Sequence, residues 1–469
     1  MNDLATLSLA EALKGIKGKK FSSTDITKSC LDKIEKTDNK IKAFLNVRKE
    51  AVKESENTAI GLLQGIPYAV KDVISTKGIE TTAGSKTLKS YVPPYNATVV
   101  EKINNQGGVI LGKTNCDAFA QGASGENSGY FPTHNPHDLD RVPGGSSSGS
   151  AAAVAANQTI FALGTDTGGS IRQPAAFCGI VGLKPTYGRC SRYGLIAMAS
   201  SFDTPGPLTK TVEDAAIILN IMSGKDKNDA TSVNTKIPDY TKSLNKGLKG
   251  VKIGVVKEHL SRGLDPEIKK SVEDCAKKLE KQGAIIEEIH LPYGEYGIAV
   301  YYVLVSSEVS SNMARYDGNR FGYRSNKGNS ALKKSMYSRT ESLENEVKRR
   351  IMIGCYALSS GYFNAYYLQA SKVRTLIIND FKKAFKKVDA ILSPATPTTA
   401  FRHGEKIGDP LQMYLSDIYT VNANVAGIPG LVVPFSKDSK NLPIGVQLLG
   451  NHFEEEKLLQ IGSMIEKIR

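Results

Sequence analysis

Apolar residues along this chain follow two rhythms. In SSTDITKSCLDKIEK, from residue 22, Ile26, Cys30 and Ile34 recur every fourth position, and Ser22 stands three residues before Asp25, so the segment predicts a capped amphipathic helix. The opening MNDLATLSLAEALKGIKGKK has the same helical texture. From Gly65 the texture changes: GIPYAVKDVI and GVILGKT predict strands, TVVEKINNQ predicts a helix between them, and turn residues separate the pieces. This alternation predicts an α/β fold whose large central sheet is mostly buried under helices.

Further along, residues 223–249 are polar and turn-rich, after which VKIGVV predicts a strand and DPEIKKSVEDCAKKLEKQGA an amphipathic helix. A subdomain border is expected in that polar stretch. In FKKAFKKVDAIL, residues 381–392, Phe381, Phe385 and Val388 form the buried stripe of a helical pattern. DAILSPATP, AGIPGLVVPF and IGVQLLG return to short apolar runs and predict further strands of the same sheet. No repeat of 20–50 residues runs through the chain, which excludes solenoids and propellers. The expected organisation is one domain over 1–469, with N-terminal helices over 1–60, a core carrying the chemistry over 61–222, and the remaining sheet with a substrate pocket over 223–469.

Composition narrows the class. The 61 Lys and Arg against 47 Asp and Glu give a net charge of +14, which raises the question of a nucleic-acid partner. The basic residues are scattered through helical patterns, where they read as solvated faces. The 6 Cys are far apart, with no CxxC pair and no His at zinc-ligand spacing, so a disulfide framework and structural zinc are not expected. With no signal-peptide pattern and no apolar run near the roughly 18 residues of a membrane span, a cytoplasmic protein is expected.

One motif is rejected on context. GGVILGKT, residues 107–114, satisfies the phosphate-loop pattern with Lys113 and Thr114 in the ligand positions. A working phosphate loop follows a strand and opens a helix. Here a helical pattern precedes Gly107 and the apolar run Val109, Ile110, Leu111 occupies the loop itself, so a core strand is expected.

Two other stretches carry chemistry. FALGTDTGGSIRQPA brings a strand to a tight turn at Gly168, Gly169 and Ser170, where the missing Cβ atoms let consecutive N–H groups approach an oxygen that gains charge in acyl transfer. A serine nucleophile needs a base, and none of the 6 His stands in a recognisable catalytic setting. Lys71, at the end of the apolar GIPYAVKDVI, is the alternative, because burial presses an amine toward neutrality. To be half deprotonated at neutral pH it must fall about 3.4 units from roughly 10.4, a differential cost of about 4.6 kcal/mol.

Together these pieces resemble the amidase signature family. GGSSSGSAAAVAANQTIFALGTDTGGSIRQPA, residues 144–175, reproduces the family's glycine and serine pattern, so the Gly/Ser-rich stretch at 142–156 is a catalytic segment rather than a linker. The resemblance implies a large mixed sheet with helices on both faces and a Ser, Ser, Lys triad: Ser170 as acyl-enzyme nucleophile, Ser146 as bridging serine on a cis peptide after Gly145, and Lys71 as base. It further implies an oxyanion hole from the N–H groups of Thr167, Gly168, Gly169 and Ser170, with Asp166 and Arg172 paired to hold the turn.

Within the family the whole chain resembles the glutamine-hydrolysing subunits of aminoacyl-tRNA amidotransferases. GIPYAVKD, GKTNCDAFAQGASGENSGYFPTHNP, ARYDGNRFGYR, EVKRRIMIGCYALSSGYFNAYY and DPLQMYLSDIYTVNANVAGIPG match their segments in order. That branch implies a glutamine clamp of Arg350 on the α-carboxylate, Asp417 on the α-amino group and Tyr301 lining the pocket, with neighbouring Arg349 and Tyr302 leaving the register open by one. It implies no cofactor and no metal in this chain, a B subunit that uses ATP and Mg to activate Glu-tRNA(Gln) or Asp-tRNA(Asn), and a small C subunit. Cys116 and Ala118 depart from the branch's usual Met and Glu. The competing expectation is a stand-alone amidase acting on other small amides.

Overall fold

The structure is a computed structural model describing residues 3–57, 61–261 and 263–469. The expected border after residue 60, like the first two residues of the opening helical pattern, lies outside the described residues. The strands are β1 (Phe44–Val47), β2 (Pro67–Lys71), β3 (Val109–Thr114), β4 (Phe161–Asp166), β5 (Val181–Lys184), β6 (Thr204–Thr209), β7 (Lys252–Val256), β8 (Ile285–Ile289), β9 (Ala390–Pro394), β10 (Gly430–Lys437) and β11 (Pro443–Gly450). They form an 11-stranded sheet in the order β1-β3-β2-β4-β6-β5-β10-β11-β9-β7-β8. Pairing is parallel where β2 meets β3 and β4 and where β7 meets β9 and β8, and antiparallel elsewhere, so the sheet is mixed.

The patterning explains which strands are central. Every residue of β2, β3 and β4 is buried, as continuous apolar runs require, whereas in β8 at one edge only Ile289 is buried. Ser22 caps the helix Ser23–Ile41 as its spacing predicts, its hydroxyl accepting from the Asp25 N–H at 3.1 Å while the Asp25 carboxylate accepts from the Ser22 N–H at 2.8 Å. The polar residues 223–249 lie against the body: Tyr240 is fully buried in a short 3₁₀ turn, and the strands on either side of the stretch belong to the same sheet.

One expectation on local structure is corrected. The helical pattern of residues 381–392 stops early, because the helix Gln369–Ala384 ends and β9 begins at Ala390. The Asp389 N–H donates to the Lys252 carbonyl at 2.8 Å, so pairing with β7 overrides the local helical periodicity. Phe381 and Val388 are still buried, one from the helix and the other from the turn after it. No helix among the described residues is long and apolar enough to cross a membrane.

The topology sets up the site. Parallel β2 and β4 are adjacent, with Val70 paired to Leu163, so their C-terminal ends emerge side by side. Lys71 ends β2, and the turn carrying Ser170 follows β4.

Candidate active site

Lys71 is fully buried. Its amine donates to the Ser146 hydroxyl at 2.7 Å and to the Thr165 hydroxyl at 2.9 Å, with a longer contact of 3.4 Å to the Thr165 carbonyl. Burial pushes its pKa down to about 8, against the weaker opposing fields of Cys116, Asp117, Asp166 and Asp203. The neutral amine is therefore accessible just above neutrality.

Ser146 enters from the segment before the buried helix Ser148–Ala155, and the Gly145–Ser146 peptide is cis. A side chain at 145 has no room, since a Cβ there would lie 2.1 Å from the Asp117 carboxylate. The Gly145 N–H donates to Gln173 Oε1 at 2.9 Å, and Gln173 Nε2 donates to the Ala123 carbonyl at 2.6 Å, which ties this segment to the turn after β4 and to the loop 117–125. The Ser147 N–H donates to the Ser170 carbonyl at 3.1 Å, so Ser146 and Ser170 belong to backbones in direct contact. Lys71 and Ser146 are 0% exposed and Ser170 is 7% exposed, which leaves Ser170 as the hydroxyl a substrate reaches first.

The turn Thr167–Ser170 is braced from below. Asp166 and Arg172, both fully buried, form a two-point ion pair with N–O distances of 3.0 Å. The Asp166 carboxylate also accepts from the N–H groups of Gly169 at 2.9 Å and Ile171 at 3.2 Å. Despite burial, which raises it, Arg172 holds the Asp166 pKa down to about 2. Arg172 further donates to Gln447 Oε1 at 2.7 Å, Asn424 Oδ1 at 2.6 Å and the Thr420 carbonyl at 3.0 Å. With the Gly169 N–H directed to Asp166, the N–H groups of Thr167, Gly168 and Ser170 are the ones that donate to no acceptor among the described residues. Gly169 has φ +140° and a Cβ there would meet Thr420 Oγ1 at 2.3 Å; at Gly168 it would meet the Tyr301 hydroxyl at 2.4 Å.

Tyr301 packs on this turn and Asp417 reaches it through Thr420, whose hydroxyl donates to the Gly168 and Asp417 carbonyls, while Tyr301 and Arg350 have surroundings different from those of Tyr302 and Arg349. Tyr301 packs on Gly168 and edge-on against Phe202, whereas Tyr302 stacks on Tyr414 with ring centres 3.8 Å apart. Arg350 is 3% exposed and bonds Glu346 through Nε at 2.8 Å, while the Arg349 side chain is 40% exposed. Asp417 is buried, and that burial pushes its pKa up to about 8, with Arg350 the main opposing charge.

Lys113, from the phosphate-loop-like pattern, is fully buried in β3 and donates to the Ile74 carbonyl at 2.6 Å and the Thr81 hydroxyl at 2.8 Å. It holds the loop after Lys71, and its surroundings are protein. Cys116 is buried and burial pushes its thiol well up, away from nucleophilic use. His134 and His137 sit in loops, bonded to the carbonyls of Leu139 and Cys178. Sequence reasoning missed Thr165, Gln173, Thr420 and Glu346. Only Glu346 carried a local signal, one helical turn before Arg350.

A mixed sheet that presents a buried lysine–serine pair beside a Gly-Gly-Ser turn defines a protein of the amidase class. The chain belongs to the amidase family: residues 25–459 match its family model. It is 52% identical to the A subunit of glutamyl-tRNA(Gln) amidotransferase from Carboxydothermus hydrogenoformans, over 99% of this chain and 98% of that one. The corresponding protein of Halothermothrix orenii is also 52% identical, again over 99% and 98%. The solved structure of the Thermotoga maritima counterpart superposes with a TM-score of 0.85 at 43% identity, covering 100% of this chain and 96% of that one. A peptide amidase of Stenotrophomonas maltophilia shares the fold at 29% identity and a TM-score of 0.82, over 98% of this chain and 96% of that one.

Proposed function

We propose that the chain is the glutamine-hydrolysing subunit of a glutamyl-tRNA(Gln) amidotransferase, releasing ammonia for amidation of a mischarged tRNA. Full-length identity to proteins of that name supports the assignment over the stand-alone amidase, whose solved example is the more distant relative. The observation that carries the chemistry is the buried Lys71 amine bonded to Ser146 with its pKa lowered to about 8.

Ser170 Oγ attacks the side-chain carbonyl carbon of glutamine while its proton passes to Ser146 and the Ser146 proton passes to Lys71. The substrate oxygen gains negative charge and is met by the N–H groups of Thr167, Gly168 and Ser170. Lys71 returns the proton through Ser146 to the leaving nitrogen, the C–N bond breaks, and ammonia departs from a γ-glutamyl ester on Ser170. Water, deprotonated by the same relay, cleaves that ester to glutamate. Arg350 takes the α-carboxylate of glutamine and Asp417 its ammonium.

In this reading the ammonia passes to a partner B subunit, which uses ATP and Mg to activate Glu-tRNA(Gln) or Asp-tRNA(Asn), and a small C subunit braces the assembly. On this proposal the nucleotide and the metal belong to the B subunit. All 6 cysteines are free, which supports a cytoplasmic setting. The test is reconstitution of the full chain with candidate B and C subunits, following transfer of the amide nitrogen from glutamine to mischarged tRNA. Transfer that stops in Ser170→Ala is expected. Free cleavage of simple amides without transfer, indifferent to Arg350→Ala, favours the stand-alone amidase.

A further inference from the structure

Glu346 lies one helical turn before Arg350 in the helix Asn345–Leu358, and its carboxylate is nearly buried. Oε1 accepts twice, from Arg350 Nε at 2.8 Å and from the Tyr414 hydroxyl at 3.0 Å, while Oε2 pairs with Arg349. The Arg350 guanidinium carbon lies 5.1 Å from the Tyr302 ring centre and 5.6 Å from that of Tyr414. Those two rings stack on each other, so the carboxylate and the aromatic pair act on one rigid unit. The two terminal nitrogens of Arg350 donate to nothing among the described residues.

A guanidinium can grip a carboxylate side-on, through Nε and one terminal nitrogen, or end-on, through both terminal nitrogens. Side-on binding is closed here because Nε is occupied. We propose that Glu346, steadied by Tyr414, is a positioning residue that fixes Arg350 for end-on recognition of the substrate's α-carboxylate, and so sets selectivity for an amino-acid amide over a simple amide. The proposal rests on the glutamine reading above.

Its sign is open to test because a second effect opposes it. Glu346 is an anion near the place where another anion binds, so if its charge were all that mattered, Glu346→Gln would tighten glutamine binding. Positioning demands the reverse, since the neutral amide makes a weaker bond to Nε and frees the guanidinium to rotate.

The experiment measures equilibrium binding to the full chain carrying Ser170→Ala, by NMR titration, with two probes. One is glutamine and the other is 4-aminobutanamide, which is glutamine without its α-carboxylate. We expect Glu346→Gln to weaken glutamine about 10-fold, and Tyr414→Phe to do so by a few-fold, with 4-aminobutanamide unchanged in both. Unchanged or tighter glutamine binding overturns the proposal, and so does equal loss for both probes, which marks a merely structural role. If the parent chain itself does not distinguish the probes, the glutamine clamp is what fails.

Discussion

The Lys71 amine is hydrogen-bonded at 2.7 Å to the Ser146 hydroxyl, and no carboxylate among the described residues is bonded to that amine. A bonded carboxylate would stabilise the ammonium and keep it protonated. With hydroxyls as its partners, desolvation wins and the pKa falls to about 8. That lies above the half-deprotonation at neutral pH expected for a serine-activating lysine, and it has a kinetic consequence. At saturating glutamine, kcat should rise about tenfold per pH unit below 8 and level off above it. Thr165→Val removes an acceptor from the ammonium form, so the limb should move to lower pH. A pH profile of kcat for both proteins checks this.

Asp417 should act on KM instead. Its carboxyl is held up to about 8 by burial, and only the ionised form accepts well from the substrate ammonium. Glutamine KM should therefore fall as pH rises from about 6.5 toward about 8.5, and Asp417→Asn should give a higher KM that is nearly flat over the same range.

Gly168 faces the Tyr301 hydroxyl where a Cβ would stand at 2.4 Å. Tyr301 is packed against Phe202 and Tyr302 and has little freedom to withdraw. Gly168→Ala should displace the ring or the turn by about an ångström and lower kcat/KM on the order of 100-fold. Thermal unfolding should change by only a few degrees, which distinguishes lost geometry from lost folding.

Arg172→Met should be a folding defect. It leaves the Asp166 carboxylate buried without its cation, a loss of roughly 3–5 kcal/mol measurable by denaturant titration. In the parent chain the Asp166 pKa is lowered from 3.8 to about 2. The stabilisation from this pair is thus present above the unfolded value and is lost as pH falls through about 2, whereas the variant should lack that acid dependence.

How much of this was legible depends on distance along the chain. β2, β3 and β4 were readable because strands buried on both faces are unbroken apolar runs, and the phosphate-loop pattern was rejected because a helix before Gly107 left Lys113 no loop to serve. Ser146 and Ser170 are legible in one contiguous motif, whereas Lys71, 75 residues before Ser146, is legible as the end of an apolar strand and through the family resemblance. Gln447 and Asn424, which hold Arg172 from far along the chain, had no local pattern to announce them. Arg350 and Arg349 are indistinguishable as a dipeptide and differ only once the helix turns one inward and the other to solvent. At residues 389–392 the helical pattern overlaps the strand expected in DAILSPATP, and the pairing of β9 with β7 and β11 decides for the strand.

The most direct test is the site of acylation. The full chain, acid-quenched during glutamine turnover and mapped by peptide mass spectrometry, should carry a γ-glutamyl ester on Ser170. In Lys71→Ala, which lacks the base for the attack itself, the adduct should fail to accumulate. A glutamyl adduct on a cysteine such as the exposed Cys355, or glutamine turnover that continues undiminished in Ser170→Ala, would contradict the account.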